Sequence, residues 1–227
     1  MNINYNEINQ IPLGEPFICL FSGGKDSGLA LSIAAERGKA LAVILSADPN
    51  SHTSFYHRQP INVIEKQAQA MGLSLELIDS TPRSSLFAYK LVRIMKKYAA
   101  MGVKTLVAGT THDTEAVELC QNICNIVGYT FRCPLWQMPY EEVICKMEEK
   151  NIKTVITLVN AEKLSTYWLG KYYDRFAYDF FVKLGIHPLG EWDEFHTTLV
   201  NMDIFNQPLR YKCIKRENNA LEIEIET

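Results

Sequence analysis

The chain has 227 residues, of which 47% are hydrophobic and 22% charged, as expected for one large globular domain or for a domain with a smaller annexe. The 23 basic and 26 acidic residues give a net charge of −3, so no overall basic field attracts nucleic acid. No apolar run approaches the roughly 20 residues of a membrane span, and residues 1–16 lack the pattern of a signal peptide. We therefore expect a cytoplasmic protein without a membrane partner.

The elements predicted first, in chain order, alternate between short apolar runs and longer helical patterns. Strands are predicted at 17–21, 40–45, 74–78, 104–108 and 129–133. Helices are predicted between them at 28–37, from Pro60 to Gly72, at 85–101, and from Asp113 to Gly128. This alternation predicts an α/β fold with a doubly wound, parallel, five-stranded sheet. Ligands bind beyond the carboxyl ends of such strands, so the loops after residues 21, 45 and 108 should form the site.

The pattern changes after Cys133, and we place a domain boundary there. Residues 1–133 would form the first domain, and residues 134–227 a smaller α+β subdomain. A strand is predicted at 153–159, and the terminal ALEIEIET, which alternates apolar and acidic residues, predicts an edge strand.

The six cysteines form no recognisable metal or redox motif. No Cys-x-x-Cys occurs, so the usual spacing of zinc ribbons and redox pairs is missing. Cys120 and Cys124 stand one helical turn apart among apolar residues, and we interpret them as small core residues. Disulfides are not expected in a reducing compartment.

The most informative segment is the loop between the first strand and the first helix, which reads SGGKDS over residues 22–27. Gly23 and Gly24 allow a tight turn that points backbone N–H groups inward. The helix that follows presents the positive end of its dipole to the same place. These features together predict a cradle for phosphate.

The side chains of the same loop suit phosphate chemistry. Lys25 adds a mobile positive charge, Ser22 and Ser27 add hydroxyl donors, and Asp26 is suited to hold magnesium, directly or through water. The loop matches neither the Walker pattern nor Gly-x-Gly-x-x-Gly. It resembles the PP-loop of ATP pyrophosphatases, which cleave ATP between the α and β phosphates.

Four further segments, in the same order along the chain, resemble the diphthine–ammonia ligase family. They are residues 54–72 (SFYHRQPINVIEKQAQAMG), 134–136 (PLW), 168–171 (WLGK) and 190–197 (GEWDEFHT). The last is similar to the family signature Gly-Glu-x-Gly-Glu-aromatic-His-Thr. With the loop, the resemblance extends from residue 17 to about residue 210.

The resemblance implies an ATP-dependent ligase that amidates a carboxylate with ammonia. The carboxylate attacks the α-phosphorus, pyrophosphate leaves, and ammonia displaces AMP from the acyl-adenylate. ATP and magnesium are the implied cofactors. The acceptor would be the diphthine of elongation factor 2 in an archaeal or eukaryotic source, and another carboxylate otherwise.

The resemblance also assigns roles to residues. Lys25 and Asp26 would act in catalysis, Glu191 and Glu194 would bind ammonium or take its proton, and His196 would shuttle a proton or contact the acceptor carboxylate. The expected nucleotide contacts are Ser22, Gly23, Gly24, Lys25, Asp26, Ser27, Ser46, His57 and Gly109.

Two segments depart from the family pattern. Leu119 and Gln121 stand where the family carries an arginine and a glutamate, so a charge pair is missing from the acceptor side. Asp193 replaces a glycine, and Trp192 a small polar residue. The departures leave the identity of the acceptor open.

Two other functions remain as alternatives. A tRNA-modifying PP-loop transferase would use the same loop, but the net charge and the lack of a cysteine motif disfavour a nucleic-acid partner. A non-catalytic module that binds adenine nucleotides is the second alternative. The oligomeric state stays open, with a homodimer as one hypothesis.

Overall fold

The computed structural model describes residues 8, 9, 11–48 and 50–226, which fold into two β-sheets with helices packed around them. The first sheet is entirely parallel and the second is antiparallel. This architecture confirms the predicted α/β fold with an additional C-terminal sheet. The domain boundary near residue 134 stays a prediction.

The parallel sheet has the strand order β3-β2-β1-β4-β5. Its strands are β1 (Pro16–Leu20), β2 (Lys39–Ala47), β3 (Ser74–Asp79), β4 (Thr105–Val107) and β5 (Thr130–Arg132). The helices between them are α1 (Lys25–Ala35), α2 (Ile61–Met71), α3 (Ser85–Ala99) and α4 (Thr114–Val127). The strand order reverses between β1 and β4, and the crevice above this reversal is where ligands bind in such sheets.

Alternate residues of β1 face the two helical layers. Phe17 and Cys19 lie in the core with α1 and α2, and Ile18 lies in the core with α3 and α4. Both faces of the strand are therefore buried, which explains why its sequence is continuously apolar.

The ends of the helices follow their local sequence. Gly72 and Gly128 end α2 and α4 with φ of +67° and +77°, and the Asp113 side chain caps α4 by accepting from the Ala116 N–H at 3.0 Å. The first helix begins at Lys25, earlier than predicted, because the Gly28 N–H already donates to the Gly24 carbonyl at 3.1 Å. The first turn of α1 is thus part of the loop.

The antiparallel sheet is built around β6 (Lys153–Val159), which has the predicted bounds. The remaining elements are α5 (Tyr140–Glu149), a 3₁₀ turn (Thr166–Trp168), β7 (Tyr172–Tyr173), α6 (Arg175–Leu184), β8 (Phe195–Asn201), β9 (Tyr211–Glu217) and β10 (Ala220–Ile225). Strand β6 pairs with β7, β8 and β10.

The prediction of an edge strand at the end of the sequence was wrong. Strand β10 lies between β6 and β9, and β9 is the outer strand. Leu221, Ile223 and Ile225 point into the core, whereas β9 is largely exposed. An alternating pattern predicts a strand with one buried face, but it does not predict which edges of that strand pair with other strands.

The second sheet packs against the α1 and α2 layer of the first. Leu29 and Leu31 of α1 share one hydrophobic core with Val155 of β6 and Leu199 of β8. This arrangement brings the start of β8 next to the loop that precedes α1. Within the described residues, no helix combines the length and apolar character needed to cross a membrane.

Candidate functional site

A cavity of about 440 Å³ opens at the carboxyl ends of β1, β2 and β4, as the fold predicts. Its lining includes these predicted site residues: Ser22, Lys25, Asp26, Ser27, Ser46, His57, Gly109, Glu191 and His196. Gly23 and Gly24 form the loop beneath the lining. Glu194 is not part of the lining.

The two loop glycines are required by close packing. Gly23 has φ of +84°, and a Cβ there would lie 2.3 Å from Ile64 Cδ1. A Cβ on Gly24 would lie 2.5 Å from His57 Cε1 and 3.0 Å from the Thr197 carbonyl oxygen. Any larger side chain would therefore force the loop or its neighbours to move.

The loop is held by side chains from distant parts of the chain. The Gln67 amide donates to the carbonyl oxygens of Gly23 at 3.1 Å and Leu199 at 2.7 Å. The Lys25 N–H donates to the hydroxyl of Thr197 at 3.1 Å. These bonds fix the backbone before any ligand arrives, which lowers the entropic cost of binding.

Lys25 and Asp26 form a charged pair at the base of the cavity. The Lys25 ammonium lies 2.6 Å from Asp26 Oδ2, and the Lys25 side chain is only 6% exposed. Burial raises the pKa of Asp26, Lys25 opposes that rise, and Glu191 adds to it. The pair concentrates positive and negative charge where a phosphate and its cation would meet.

ATP and magnesium, as implied by the resemblance, fit this donor set. Asp26 Oδ1 is buried and has no hydrogen-bond partner, so a carboxylate oxygen is free for a cation or its water. No group of three or more His, Cys, Asp or Glu side chains in the described ranges is arranged to hold a metal ion. Magnesium in nucleotide sites usually takes one or two carboxylates and completes its coordination with phosphate oxygens and water.

Two histidines meet beside the loop. His57 Nε2 lies 2.9 Å from Ser22 Oγ, and the His57 and His196 rings are edge to face with centroids 5.2 Å apart. Burial, His196 and Lys25, in that order, place the pKa of His57 well below its ordinary value. Burial also lowers the pKa of His196, against the opposing effect of Asp193. Both rings are therefore neutral near pH 7.

The two glutamates of the GEWDEFHT segment have different surroundings. Glu191 lines the cavity, and its carboxylate accepts a hydrogen bond from the Thr111 hydroxyl. Glu194 is 4% exposed, accepts from the Trp192 N–H at 2.9 Å, and lies 3.8 Å from the Lys163 ammonium. The structure therefore places Glu191 in the wall of the cavity and Glu194 inside the turn.

Two of the departures noted in the sequence, Leu119 and Asp193, line the cavity, whereas Gln121 and Trp192 do not. Leu119 lines an apolar end together with Ile44, Phe87 and Phe131. Arg83, which has φ of +65°, lines the cavity and pairs with two acids, Asp113, which also lines it, and Glu115. The lining therefore combines exposed charges with an apolar wall.

Several residues of the site were not predicted. His187 is a buried residue behind the lining, and its Nδ1 accepts from the N–H groups of Leu189 (3.3 Å) and Glu191 (3.4 Å) and so shapes the turn. Gln67 lies within the segment 54–72 and Thr197 within the segment 190–197 that resemble the family, but neither residue was assigned a role there. Thr111 carries no sequence signal, because its partner Glu191 is remote in the chain.

The N-terminal part of the chain matches a known protein family. A family model described as "Diphthamide synthase N-terminal domain" matches residues 16–130, just over half of the chain. The search of curated proteins gave no significant match. Among solved structures, a "predicted subunit of tRNA methyltransferase" from Methanocaldococcus jannaschii is similar at 15% identity and a TM-score of 0.45, over 83% of this chain and 97% of that one.

Proposed function

Because the chain belongs to the diphthamide synthase family through its N-terminal domain, we propose that it is an ATP pyrophosphatase that amidates a carboxylate with ammonia. The products from ATP are AMP and pyrophosphate. Diphthine on elongation factor 2 is the first acceptor to test, and other carboxylates follow if it is not used. ATP and magnesium are the proposed cofactors.

The observation that carries the proposal is the pre-formed loop of residues 22–27 at the base of the cavity. Gly23 and Gly24 give the close backbone approach, and Lys25 stands buried beside Asp26. Such a loop, followed at once by a helix N-terminus, favours a bound pyrophosphate group.

In the first step the acceptor carboxylate attacks the α-phosphorus, and the bond to the β-phosphate oxygen breaks. Lys25 and the N–H groups of the loop stabilise the charge that develops on the departing pyrophosphate. Asp26 would hold magnesium, which would neutralise further phosphate charge. The hydroxyls of Ser22 and Ser27 complete the donor set.

In the second step nitrogen attacks the acyl carbon, and the oxygen that links the acyl group to phosphorus leaves with AMP. An ammonium ion gives up two protons in total on its way to the amide nitrogen. Glu191, which faces the cavity, binds the cation and takes its first proton, which leaves ammonia with a free lone pair. A neutral histidine accepts the second proton as nitrogen bonds to carbon. The geometry favours Glu191 over Glu194, whose carboxylate is engaged inside the turn.

Cysteine chemistry of the kind used by sulfur-transferring tRNA enzymes is disfavoured. Cys120 is the cysteine in the cavity lining, and burial raises its pKa to about 12. The thiol is therefore protonated at neutral pH and a poor nucleophile. This supports the ligase over the transferase.

The test is release of AMP and pyrophosphate from ATP–Mg, with and without ammonium, across a panel of carboxylates that includes diphthine-bearing elongation factor 2. We expect release to depend on the acceptor. Lys25→Ala should lower the rate by roughly 10²–10³-fold, because one charge-stabilising donor is lost. Lys153→Ala, which removes an exposed lysine outside the cavity, is the matched control.

Each other outcome would contradict the proposal in a defined way. ADP and phosphate as products would exclude pyrophosphate cleavage. Binding of ATP without turnover, under every acceptor, would favour the non-catalytic nucleotide-binding module.

A further inference from the structure

The turn that precedes β8 contains a backbone strain that its hydrogen bonding explains. Asp193 has φ of +63°, a left-handed conformation that side chains other than glycine rarely adopt. Its carboxylate Oδ1 lies 3.0 Å from Nε2 of His196. Aspartate tolerates this conformation better than most residues other than glycine, so the contact with His196 is the informative feature.

We infer that Asp193 is a positioning residue that fixes His196 as the base for the incoming amine. The inference rests on the function proposed above. A carboxylate can only accept a hydrogen bond, so Nε2 of His196 carries the proton and Nδ1 keeps the lone pair. The neutral imidazole then takes the proton that the ammonia or amine nitrogen loses as it bonds to the acyl carbon and AMP leaves, the first proton of an ammonium ion having passed to Glu191.

The position of the pair supports this role. Both side chains line the cavity, and the His196 ring lies against His57, whose other contact is the hydroxyl of Ser22 in the phosphate loop. The next residue, Thr197, accepts from the Lys25 N–H. The base is thus attached through its own strand to the loop that would hold the nucleotide.

The charges around His196 come from three elements. Asp193 precedes it in the same segment, Lys25 and Asp26 face it from the start of α1, and His57 contacts it from the segment before α2. Asp193 is the partner that bonds to the ring directly. Removal of its carboxylate is therefore expected to lower the pKa of His196, because an acceptor that stabilises the imidazolium is lost.

The backbone conformation supplies two informative variants. Asp193→Asn keeps a side chain that tolerates left-handed φ and removes only the charge. Asp193→Gly removes the side chain and relieves the strain, so it should fold at least as well as the unmodified protein. Asn218→Gly, at φ of +43° in the exposed turn between β9 and β10, is the matched control for a glycine at a left-handed position.

Two measurements on the full chain test the inference. Proton NMR titration of the histidine rings, with His196 assigned from a His196→Gln variant, should show a lower pKa for His196 in both Asp193 variants and no change in Asn218→Gly. Steady-state kinetics should show a roughly tenfold or greater loss of kcat, with KM for ATP within about twofold. The acid limb of the kcat profile should move to lower pH.

The outcomes separate the two proposals. An unchanged pKa of His196 in Asp193→Asn would overturn the pairing, whatever the activity. A lower pKa with unaltered kcat would overturn the role as base and leave the ligase standing. Absence of AMP release from the unmodified protein under every acceptor would overturn the proposed function and the role as base together.

Discussion

The floor and the rim of the cavity are held together by different kinds of interaction. The floor, which is the loop of residues 22–27 with Gly109, consists of backbone and buried side chains held by remote hydrogen bonds. The rim, which is Arg83, Asp113 and Glu115, consists of exposed side chains joined by ion pairs. The contrast teaches that the geometry of the floor is fixed by the fold, whereas the rim consists of side chains that can change without unfolding the protein.

The largest expected effect comes from filling the floor. A Cβ at Gly109 would lie 2.4 Å from the Asp26 carbonyl oxygen, which is backbone and has little room to move. We expect Gly109→Ala to cost about 1–3 kcal/mol in the free energy of unfolding and to weaken ATP binding strongly, measured by urea denaturation and calorimetry.

Gly128→Ala is the control for backbone strain alone. Gly128, unlike Gly109, has a left-handed φ, of +77°, and a Cβ there meets nothing within 4 Å, so this variant adds backbone strain without a clash. It should lose stability by about 1 kcal/mol and bind ATP normally. Normal ATP binding by Gly109→Ala would contradict the inference that the close packing of the floor controls nucleotide binding.

An intermediate effect is expected in the pH dependence of stability. The pKa of His57 is well below its ordinary value, chiefly through burial, so the unfolded chain binds a proton at this site more readily than the folded one. Stability should therefore fall as the pH drops below the ordinary histidine pKa of about 6.5. Comparison of the unfolding free energy at several pH values should show a shallower slope in His57→Gln.

His52→Gln, which changes an exposed histidine outside the cavity lining, is the matched control and should leave the slope unaltered. Because both variants retain Asp26, its contribution cancels in the comparison. An identical slope in His57→Gln and the unmodified protein would mean that folding does not lower the pKa of His57 as inferred.

The smallest effect belongs to the rim. The Arg83 side chain is 43% exposed, and the side chains of Asp113 and Glu115 are 37% and 81% exposed. Exposed ion pairs contribute roughly 0–1 kcal/mol to the free energy of unfolding. Arg83→Gln should thus leave the unfolding free energy nearly unchanged, raise KM for the acceptor, and leave KM for ATP alone. Arg93→Gln, on the exposed surface of α3, is the control; a loss of several kcal/mol in Arg83→Gln would make the rim structural.

A feature of this fold could be predicted from the sequence when the residues that determine it lie close together in the chain. Local signals gave the strands, the capped start of α4 at Asp113 and the helix ends at Gly72 and Gly128, because periodicity and capping act within a few residues. The order of β10 and β9 was not available, since it depends on pairing between segments.

The site divides in the same way. The loop of residues 22–27 was recognisable because its chemistry is contiguous, and the predicted roles of its side chains await the experiments above. Gln67 contacts Leu199 across 132 positions of sequence, and Thr111 contacts Glu191 across 80. No pattern within a single sequence predicts such contacts. The ion pairs of Arg83 could not be predicted for the same reason, because its partners lie at the start of α4.

The bonds from β8 to the phosphate loop have a consequence for biosynthesis. The loop leaves the ribosome early, but Thr197 and Leu199, which hold Lys25 and Gly23, are made more than 170 residues later. A nascent chain that stops at residue 134 contains the whole parallel sheet and lacks both anchors. The loop therefore acquires its final set of hydrogen bonds only when β8 has emerged and docked, and we expect any ligand that needs this geometry to bind after that point.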